Sequence, residues 1–364
     1  MATHYYEPAP GADMAKSGLA GKAQTVLGPI DAAQIGIAVT HEHLLIDFRV
    51  VFVPPTSEEG KALSKQPISM SNLGWVRYNW ASSLENLRYE DEALAAREAA
   101  HYARAGGRTV VDATSIGLKR NPRALANISK AAGINVIMGS GYYVQASHPQ
   151  GLHARTVEDI AAEIERDITI GADGTAIKSG IIGEIGCSWP WTRDEKKSMQ
   201  AAIIAQARTG APLLIHPGRS ETAPIEIVNF IVKNGGNLRR TIMGHIERTI
   251  FTAPVLDELA ATGIYLEYDL FGHDSSYYPF APQTYMPNDA QRLEQIDRLI
   301  ANGHLDQILL AHDVCSRHRL KEFGGHGLDH IPARVAPWMK ARGLSQVQVD
   351  RMLVDNPARV LAFV

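Results

Sequence analysis

Histidine and acidic residues recur where apolar, β-branched runs of this sequence end. His41-Glu42-His43 closes the first such run, and side chains two apart on a strand point the same way, so both imidazoles could reach one metal ion. The helical H-E-x-x-H zinc motif differs, because it needs four-residue spacing. Taken alone, the pair could equally be two polar residues at a sheet edge. Four further candidate ligands end or nearly end later runs: Glu184, His216, His245 and Asp313.

The six residues are more informative together than singly. A lone histidine at a strand end is more often structural than a ligand. Four histidines and two carboxylates gathered at one place are harder to explain as structure, because charges buried without a cation cost several kcal/mol each. The set therefore predicts a site for a divalent metal. Imidazole with carboxylate favours Zn²⁺ by ligand type, with Mn²⁺, Co²⁺ and Fe²⁺ as alternatives.

The runs that carry these residues alternate with helical patterns such as YEDEALAAREAAHYARAGG. Eight candidate strands with helical connections predict a parallel sheet closed into a (β/α)₈ TIM barrel. An open doubly wound sheet would need a Gly-rich phosphate loop after the first strand, where HEHLLID stands instead. The eight runs are 35–43, 108–114, 134–143, 180–186, 211–218, 240–246, 263–270 and 307–313.

Three connections are too long to be simple linkers: 47–88 after strand 1, 271–288 after strand 7 and 314–333 after strand 8. All three leave the C-terminal ends of strands, the face where barrel enzymes place their sites. Long loops in compact domains are usually functional or disordered. The aromatic residues in these loops favour ordered pocket walls; they are Trp75, Tyr78, Trp80, Phe271, Tyr277, Tyr278 and Phe323.

Length and composition limit the class of protein to which the chain could belong. The chain has 364 residues, with 36 Lys plus Arg against 39 Asp plus Glu, a near balance that gives no basic surface for nucleic acid or membrane. We expect a leader at 1–20 and one barrel domain at 21–364. Two cysteines and no signal-peptide pattern favour a cytoplasmic protein. The predicted partners are a small-molecule substrate and a second copy of the chain in a homodimer.

The quoted motifs resemble a known family. VTHEHL, DGTAIKSGIIGEIGCSWP, LLIHPGRS, GHIERTI, LEYDLFG and AHDVCSRHRL are similar to the phosphotriesterase-related (resiniferatoxin-binding) proteins of the amidohydrolase superfamily. The resemblance covers about 20–360. It implies two divalent ions, one held by His41, His43 and Asp313, the other by His216 and His245, with Glu184 bridging them.

The predicted bridging residue, Glu184, differs from that of true phosphotriesterases, which use a carbamylated lysine near this place on strand 4. The nearest lysine here is Lys178, six residues before Glu184 and about 20 Å away along an extended strand. We therefore expect Lys178 toward the other end of the barrel and Glu184 as the bridge. The loss of the lysine argues against efficient phosphotriester hydrolysis.

The implied mechanism is hydrolysis by a hydroxide shared between two metal ions, whose pKa the metals lower. We expect it to attack a carbonyl carbon or a phosphorus, with Asp313 accepting its proton and passing it to the leaving group.

Substrate contacts are less readily predicted. Arg219, Arg248 and Arg317 each follow a candidate ligand by three or four residues, so one or two could bind an anionic group; surface or structural ion pairs are the alternative. Tyr143 at the end of strand 3 and the loop residue His273 are further candidates.

Two other pairs of residues lie near the candidate ligands. Glu267 and Asp269 on strand 7 are expected to accept hydrogen bonds from ligating histidines. Cys187 and Cys315 are interpreted as small apolar packing residues rather than catalytic thiols.

Four functions compete. The first is metal-dependent hydrolysis of an ester, lactone or N-acyl amide, including the N-acetyltaurine-like amides linked to the family branch. The second is phosphotriester or lactone hydrolysis. The third is non-catalytic binding of a small molecule of the resiniferatoxin type, against which the complete ligand set argues. The fourth, Schiff-base chemistry on Lys178, is disfavoured by the placement of that lysine.

Overall fold

Eight parallel strands form the central sheet of the computed structural model, which describes residues 18–273 and 275–364. Each strand pairs with the next along the chain. Between the last strand and the first, the amide of Asp313 donates to the carbonyl of His41 at 3.0 Å. The predicted (β/α)₈ barrel is confirmed. The strands are β1 (Ala38–Glu42), β2 (Thr109–Asp112), β3 (Asn135–Ser140), β4 (Ile181–Gly186), β5 (Leu213–His216), β6 (Thr241–Met243), β7 (Tyr265–Tyr268) and β8 (Ile308–Leu310).

One helix follows each strand and covers the outside of the barrel. The helices are α1 (Glu92–Arg104), α2 (Pro122–Ala132), α3 (Val157–Thr169), α4 (Arg193–Thr209), α5 (Ala223–Lys233), α6 (Ala253–Ala261), α7 (Asp289–Ala301) and α8 (Ala336–Ala341). Shorter helices are Glu58–Leu63, Leu73–Tyr78, Ile246–Thr249, Gln346–Asp350 and Asn356–Leu361. None of the described helices is long and apolar enough to cross a membrane.

Local sequence explains where the helices begin and end. Thr192 caps α4 by accepting a hydrogen bond from the amide of Glu195, whose side chain returns to the backbone of Thr192. This reciprocal cap satisfies amide groups that have no partner within the helix. The helix ends at Gly210, which adopts the left-handed conformation that glycine reaches without steric cost.

The core has an inner and an outer part. A large apolar cluster lies between the strands and the helices. A second cluster takes alternate strand residues, such as Ile137, Leu214 and Leu309, and adds Ala23 and Val360 from near the two ends of the chain. Alternation on a strand puts these residues on the inner face. The hairpin Lys22–Thr25 and Gly28–Asp31 and the helix Asn356–Leu361 therefore close the N-terminal end of the barrel.

Two strands contain an extra residue that changes which side chains face inward. Val39 pairs with Val110 and Glu42 with Asp112, so β1 takes three steps where β2 takes two. Plain alternation from inward-facing Ala38 would put Thr40 and Glu42 inside. The bulge turns His41 and His43 inward instead.

The same irregularity occurs in β4. Ile182 pairs with Leu213 and Ile185 with Ile215, again three steps against two. Both isoleucines belong to the outer cluster, and Glu184 between them faces the barrel interior. The bulge therefore turns the carboxylate of Glu184, the predicted bridge, toward the barrel interior.

Two of the three long loops, those after β1 and β7, contact each other through aromatic side chains. Tyr78 of the first loop stacks on Tyr277 of the loop after β7, with ring centroids 4.8 Å apart. Trp80 packs edge-on against Phe280 at 5.5 Å. The first and seventh loops therefore meet over the C-terminal end of the barrel.

The predicted leader lies mostly outside the described residues, which begin at 18. Leu19 packs against the outer apolar cluster and Ala20 pairs with Phe363. The last residues assigned to the leader thus contact the barrel.

Candidate metal centre

All six predicted ligands meet at the C-terminal mouth of the barrel, around the carboxylate of Glu184. Each of the four histidines presents one ring nitrogen to this carboxylate. His216 Nδ1 is 2.9 Å from Glu184 Oε2, His41 Nε2 is 3.5 Å, and His245 Nε2 is 3.6 Å from the same oxygen. His43 Nε2 is 3.5 Å from the other oxygen, Oε1. A carboxylate so placed can serve two cations at once.

Asp313 completes one side of the cluster. Its Oδ1 lies 3.2 Å from His43 Nε2 and 4.0 Å from His41 Nε2. On the other side, His245 Nε2 and His216 Nδ1 are 2.7 Å apart. His41, His43 and Asp313 are thus brought together on one side of the cluster, and His216 and His245 on the other.

The opposite nitrogens of three histidines are held by partners from neighbouring strands. His43 Nδ1 is 2.8 Å from Thr114 Oγ1, and His245 Nδ1 is 2.7 Å from Asp269 Oδ1. His41 Nδ1 lies 3.2 Å from Glu267 and 3.0 Å from Asp269. Such partners fix ring orientation and leave the other nitrogen free for a metal. The contacts expected for Glu267 and Asp269 are present.

His245 and Asp313 share an unusual backbone conformation. Their φ angles are 53° and 49°, in the left-handed region that non-glycine residues seldom adopt. Hydrogen bonds hold both positions: the amide of His245 donates to Asp269 Oδ2 at 2.8 Å, and Arg319 donates to the carbonyl of Asp313 at 2.7 Å. Strained backbone of this kind concentrates at functional sites.

Electrostatics at the cluster favour positive charge. Burial lowers the pKa of His41, but the carboxylates of Glu184 and Asp269 outweigh it and hold the pKa well above its usual value. Burial raises the pKa of Glu184, yet His41 and His216 bring it well below its usual value. The field that favours a proton on His41 would also favour a divalent cation, with its larger charge.

The residues present fit metal ions. His41 Nε2 is buried and has no hydrogen-bond partner, a costly state unless something else satisfies it. This nitrogen belongs to two groups of potential ligands, one with Glu184 and His245, the other with His43 and Asp313. Imidazole and carboxylate are the donors that Zn²⁺ and its neighbours take.

Glu42, the middle residue of the first motif, forms hydrogen bonds with the segment after β8 instead of facing the metal cluster. Its Oε1 accepts from the amide of His312 at 2.8 Å and lies 2.6 Å from His312 Nδ1, while Oε2 accepts from the amide of Val314 at 3.1 Å. The carboxylate therefore fastens the segment carrying Asp313 to β1.

A pocket opens directly above the cluster and is lined by apolar and cationic side chains. Its lining residues, besides the candidate ligands His43, Glu184, His216, His245 and Asp313, include Phe48, Trp80, Tyr143, Arg219, Arg248, Leu270, His273, Tyr278, Met286, Cys315, Ser316 and Arg319. Four of the five predicted substrate contacts, Tyr143, Arg219, Arg248 and His273, are thus brought to the site. Tyr143 Oη lies 3.2 Å from His216 Nε2.

Arg317 is the predicted contact that the structure does not bring to this pocket. Its guanidinium pairs with Glu85 at 2.8 Å and donates to the carbonyl of Arg88. Arg319 lines the pocket instead. Both belong to one 3₁₀ turn, where residues two apart lie on different faces, so the choice between them needed the turn's orientation. That expectation for Arg317 is corrected.

The cysteines and Lys178 lie where the sequence predicted. Cys187 and Cys315 are buried and unpaired by disulfide, and burial raises the pKa of both thiols well above its usual value, so neither favours the reactive thiolate. Lys178 lines a surface pocket with Leu19 and Gln24 at the N-terminal end of the barrel.

Comparison with known proteins agrees with this geometry. The model of the Phosphotriesterase family matches residues 21–361. The chain belongs to the phosphotriesterase family. It is 44% identical over 346 residues to a phosphotriesterase-related protein of Nematostella vectensis, which covers 94% of this chain and 99% of the relative. It is 45% identical over 349 residues to an N-acetyltaurine hydrolase of Danio rerio, covering 95% and 99%.

A solved structure of a resiniferatoxin-binding protein from Rhodobacter sphaeroides is also similar. It superposes with a TM-score of 0.92 at 34% identity, over 95% of this chain and 97% of that one. The family assignment made from the motifs is confirmed. Family and cluster together identify a hydrolase for which metal dependence fits.

Proposed function

We propose that this phosphotriesterase-family hydrolase cleaves an N-acyl amide whose amine portion carries an acid group, as N-acetyltaurine does. Two zinc ions are proposed as its cofactors. The ligand set stays as the sequence predicted it: His41, His43 and Asp313 for one ion, His216 and His245 for the other, and Glu184 for both. The compartment and a homodimer stay predictions of the sequence.

Two arginines in the pocket, Arg248 buried and Arg219 partly buried, carry the proposal of an acidic substrate. Arg248 is 3% exposed and donates to the carbonyl of Pro217 at 3.1 Å. Arg219 donates to Tyr278 Oη at 2.7 Å and stacks over the ring of Phe280. Among the described residues, the hydrogen-bond partners of the two guanidinium groups are Tyr278 Oη, the carbonyl of Pro217, Thr249 Oγ1 and His216 Nε2, none of which is a carboxylate. An unpaired buried charge costs several kcal/mol, which an anionic substrate would offset.

The apolar residues of the pocket suit the remainder of such a molecule. Trp80, Tyr278 and Met286 line it, and their apolar atoms suit methylene groups and a small acyl group better than a second charge. A carboxylate or sulfonate at the arginines would place the amide toward the metal cluster.

Each polar residue then has a distinct part in hydrolysis. Bound divalent ions supply a water of lowered pKa and a site that polarises the acyl oxygen. Asp313 accepts the proton of the attacking water and returns it to the departing amine nitrogen. Arg219 and Arg248 hold the acid group, and Tyr143 fixes the ring of His216 from the side away from Glu184.

A substrate panel tests the proposal. Zinc-loaded protein is assayed with N-acetyltaurine, the uncharged N-acetylethylamine, a lactone and a phosphotriester. We expect N-acetyltaurine to be preferred over the uncharged amide by at least about tenfold in kcat/KM, with activity lost on chelation and restored by zinc. Equal rates on the two amides would reject the role of the arginines. Hydrolysis of the phosphotriester alone, or binding of resiniferatoxin without any turnover, would reject amide hydrolysis itself.

An Arg219→Gln variant tests whether Arg219 binds the acid group of the substrate. Glutamine keeps a donor for Tyr278 but removes the charge, so KM for N-acetyltaurine should rise about tenfold while the uncharged amide is unaffected. Arg97→Gln, at an exposed arginine of α1, is the matched control.

A further inference from the structure

A second cavity adjoins the metal pocket and has no part in the chemistry proposed so far. It has a volume of about 270 Å³ and lies between the loops that follow β7 and β8. We call it the loop chamber. Its described lining residues are Arg77, Phe271, Gly272, His273, Ser275, His312, Val314, His318, Arg319, Gly324, Gly325, His326 and Gly327. His273 and Arg319 line the metal pocket as well, so the two spaces share a wall.

The chamber is cationic. Arg77 and Arg319 contribute two guanidinium groups, and no carboxylate is among its described lining residues. Arg319 is 7% exposed, and its guanidinium donates hydrogen bonds to the carbonyls of Asp313 and Phe271. Arg77 donates to the carbonyl of Gly324 at 2.6 Å. Carbonyl acceptors satisfy N–H groups without neutralising the charge, so both cations can still bind an anion.

Glycines beside these cations form part of the chamber wall. Gly324, Gly325 and Gly327 follow Arg319 closely, and an added Cβ at Gly325 would lie 2.1 Å from the backbone of Arg319. The loop can therefore approach the arginine while placing few side-chain atoms in the chamber. The result is space beside two charges, the arrangement that small anionic groups require.

We propose that the loop chamber is a second acid-binding subsite, which takes an additional carboxylate on the amine portion of the substrate. This inference rests on the proposed function. The first acid group binds Arg219 and Arg248 in the metal pocket. The second extends alongside His273 and Arg319, which border both spaces, and meets Arg319 and Arg77. The predicted substrate class is thus the N-acyl derivatives of amines with two acid groups, of which N-acetylglutamate is the simplest probe.

The kinetic test compares N-acetylglutamate with N-acetylglutamine, which has the same shape but one acid group fewer. The wild-type enzyme should prefer N-acetylglutamate by about tenfold in kcat/KM, chiefly through KM. Arg77→Gln retains a donor for Gly324 and should abolish the preference, while Arg77→Lys retains the charge and most of the preference. N-acetyltaurine, which has one acid group, should be cleaved equally by all three proteins. Arg319 is left unchanged because it also holds the backbone of Asp313.

A binding test is independent of turnover. Calorimetric titration of the zinc-loaded protein with glutarate, which has no bond to cleave, should give about tenfold weaker binding to Arg77→Gln than to wild type and Arg77→Lys. If no amide is cleaved but Arg77→Gln still weakens glutarate binding, the loop chamber is supported as an acid-binding site and the proposed function is rejected. If N-acetyltaurine is cleaved but Arg77→Gln changes neither the N-acetylglutamate preference nor glutarate binding, the chamber proposal is overturned and the proposed function stands.

Discussion

Asp313 combines the position and the backbone geometry that its proposed role as proton acceptor requires. Its Oδ1 lies 3.2 Å from His43 Nε2, inside the cluster, while its side chain remains 15% exposed to the pocket. Its φ of 49° is tolerated by Asp and Asn better than by most residues. Asn can thus replace it with little change in backbone.

Asp313→Asn should lower kcat by about 10²–10⁴-fold, because an amide cannot accept the proton that a carboxylate accepts. Zinc should largely remain bound, since five ligands and the amide oxygen persist. Steady-state kinetics and elemental analysis of the purified variant measure the two effects separately. Asp306→Asn, at an exposed ion pair with Arg351, is the control. Turnover like that of wild type would remove Asp313 from the chemistry.

Asp269 acts through two histidines rather than on substrate. Its carboxylate contacts His41 Nδ1, His245 Nδ1 and the amide of His245. Asp269→Asn should weaken zinc affinity about 10–100-fold, because a neutral amide no longer accepts strongly from both rings. Competition with a chromophoric chelator measures this affinity. The exposed Asp257→Asn should match wild type; unchanged affinity in Asp269→Asn would contradict a supporting role.

Residue types at strand ends could be predicted because metal chemistry restricts them, and all six candidate ligands converge. Individual side-chain contacts were harder to predict from the sequence. Its spacing indicates Arg317 as a substrate contact, whereas Arg319 lines the pocket. Glu42 binds the segment after β8 through hydrogen bonds that no local spacing reveals. Such long-range partners depend on which strands become neighbours.

At the scale of elements, the strands could be predicted from their β-branched runs, since buried parallel strands are apolar on both faces. The bulges in β1 and β4 could not be predicted from the sequence. In a strand buried on both sides the apolar pattern has no period, so an added residue leaves no mark on it. Yet these bulges decide that His41, His43 and Glu184 face inward.

Gly183 lies within the β4 bulge, at a φ of +133°, and a Cβ there would lie 2.4 Å from the carbonyl oxygen of Leu214. Gly183→Ala should therefore lower the free energy of unfolding by more than about 2 kcal/mol and reduce bound zinc by displacing Glu184. Urea unfolding and zinc content measure the two effects. Gly343→Ala, also at positive φ (+108°) but with nothing within 4 Å, separates backbone conformation from collision. Equal losses in both variants would contradict a steric role for Leu214.

For the whole molecule, the cluster joins strands from all parts of the chain. Its ligands come from β1, β4 and β5 and from the segments after β6 and β8. Ions bound there bind the folded chain only, and so stabilise it by mass action.

Removing the metal should lower the melting temperature by about 3–4 °C, from about 2.7 kcal/mol at a hundredfold excess over Kd and roughly 1.3 °C per kcal/mol for a chain of 364 residues. Calorimetry with and without a chelator measures the shift, and zinc should reverse it. His216→Asn, which lacks one ligand, should show a smaller shift. An identical melting temperature in both conditions would argue against metal in the native protein.

The hydrogen bonds of Glu42 give position 42 an influence that its place between two candidate ligands conceals. Its carboxylate fixes a backbone segment 270 residues further along the chain, next to the proposed proton acceptor. This side chain and the hydrogen bond from the amide of Asp313 to the carbonyl of His41 therefore register the first and last strands of the barrel against each other. An alteration at position 42 would therefore disturb the surroundings of His41, His43 and Asp313 together, so a substitution there should impair the candidate metal centre even though Glu42 is not one of the candidate ligands.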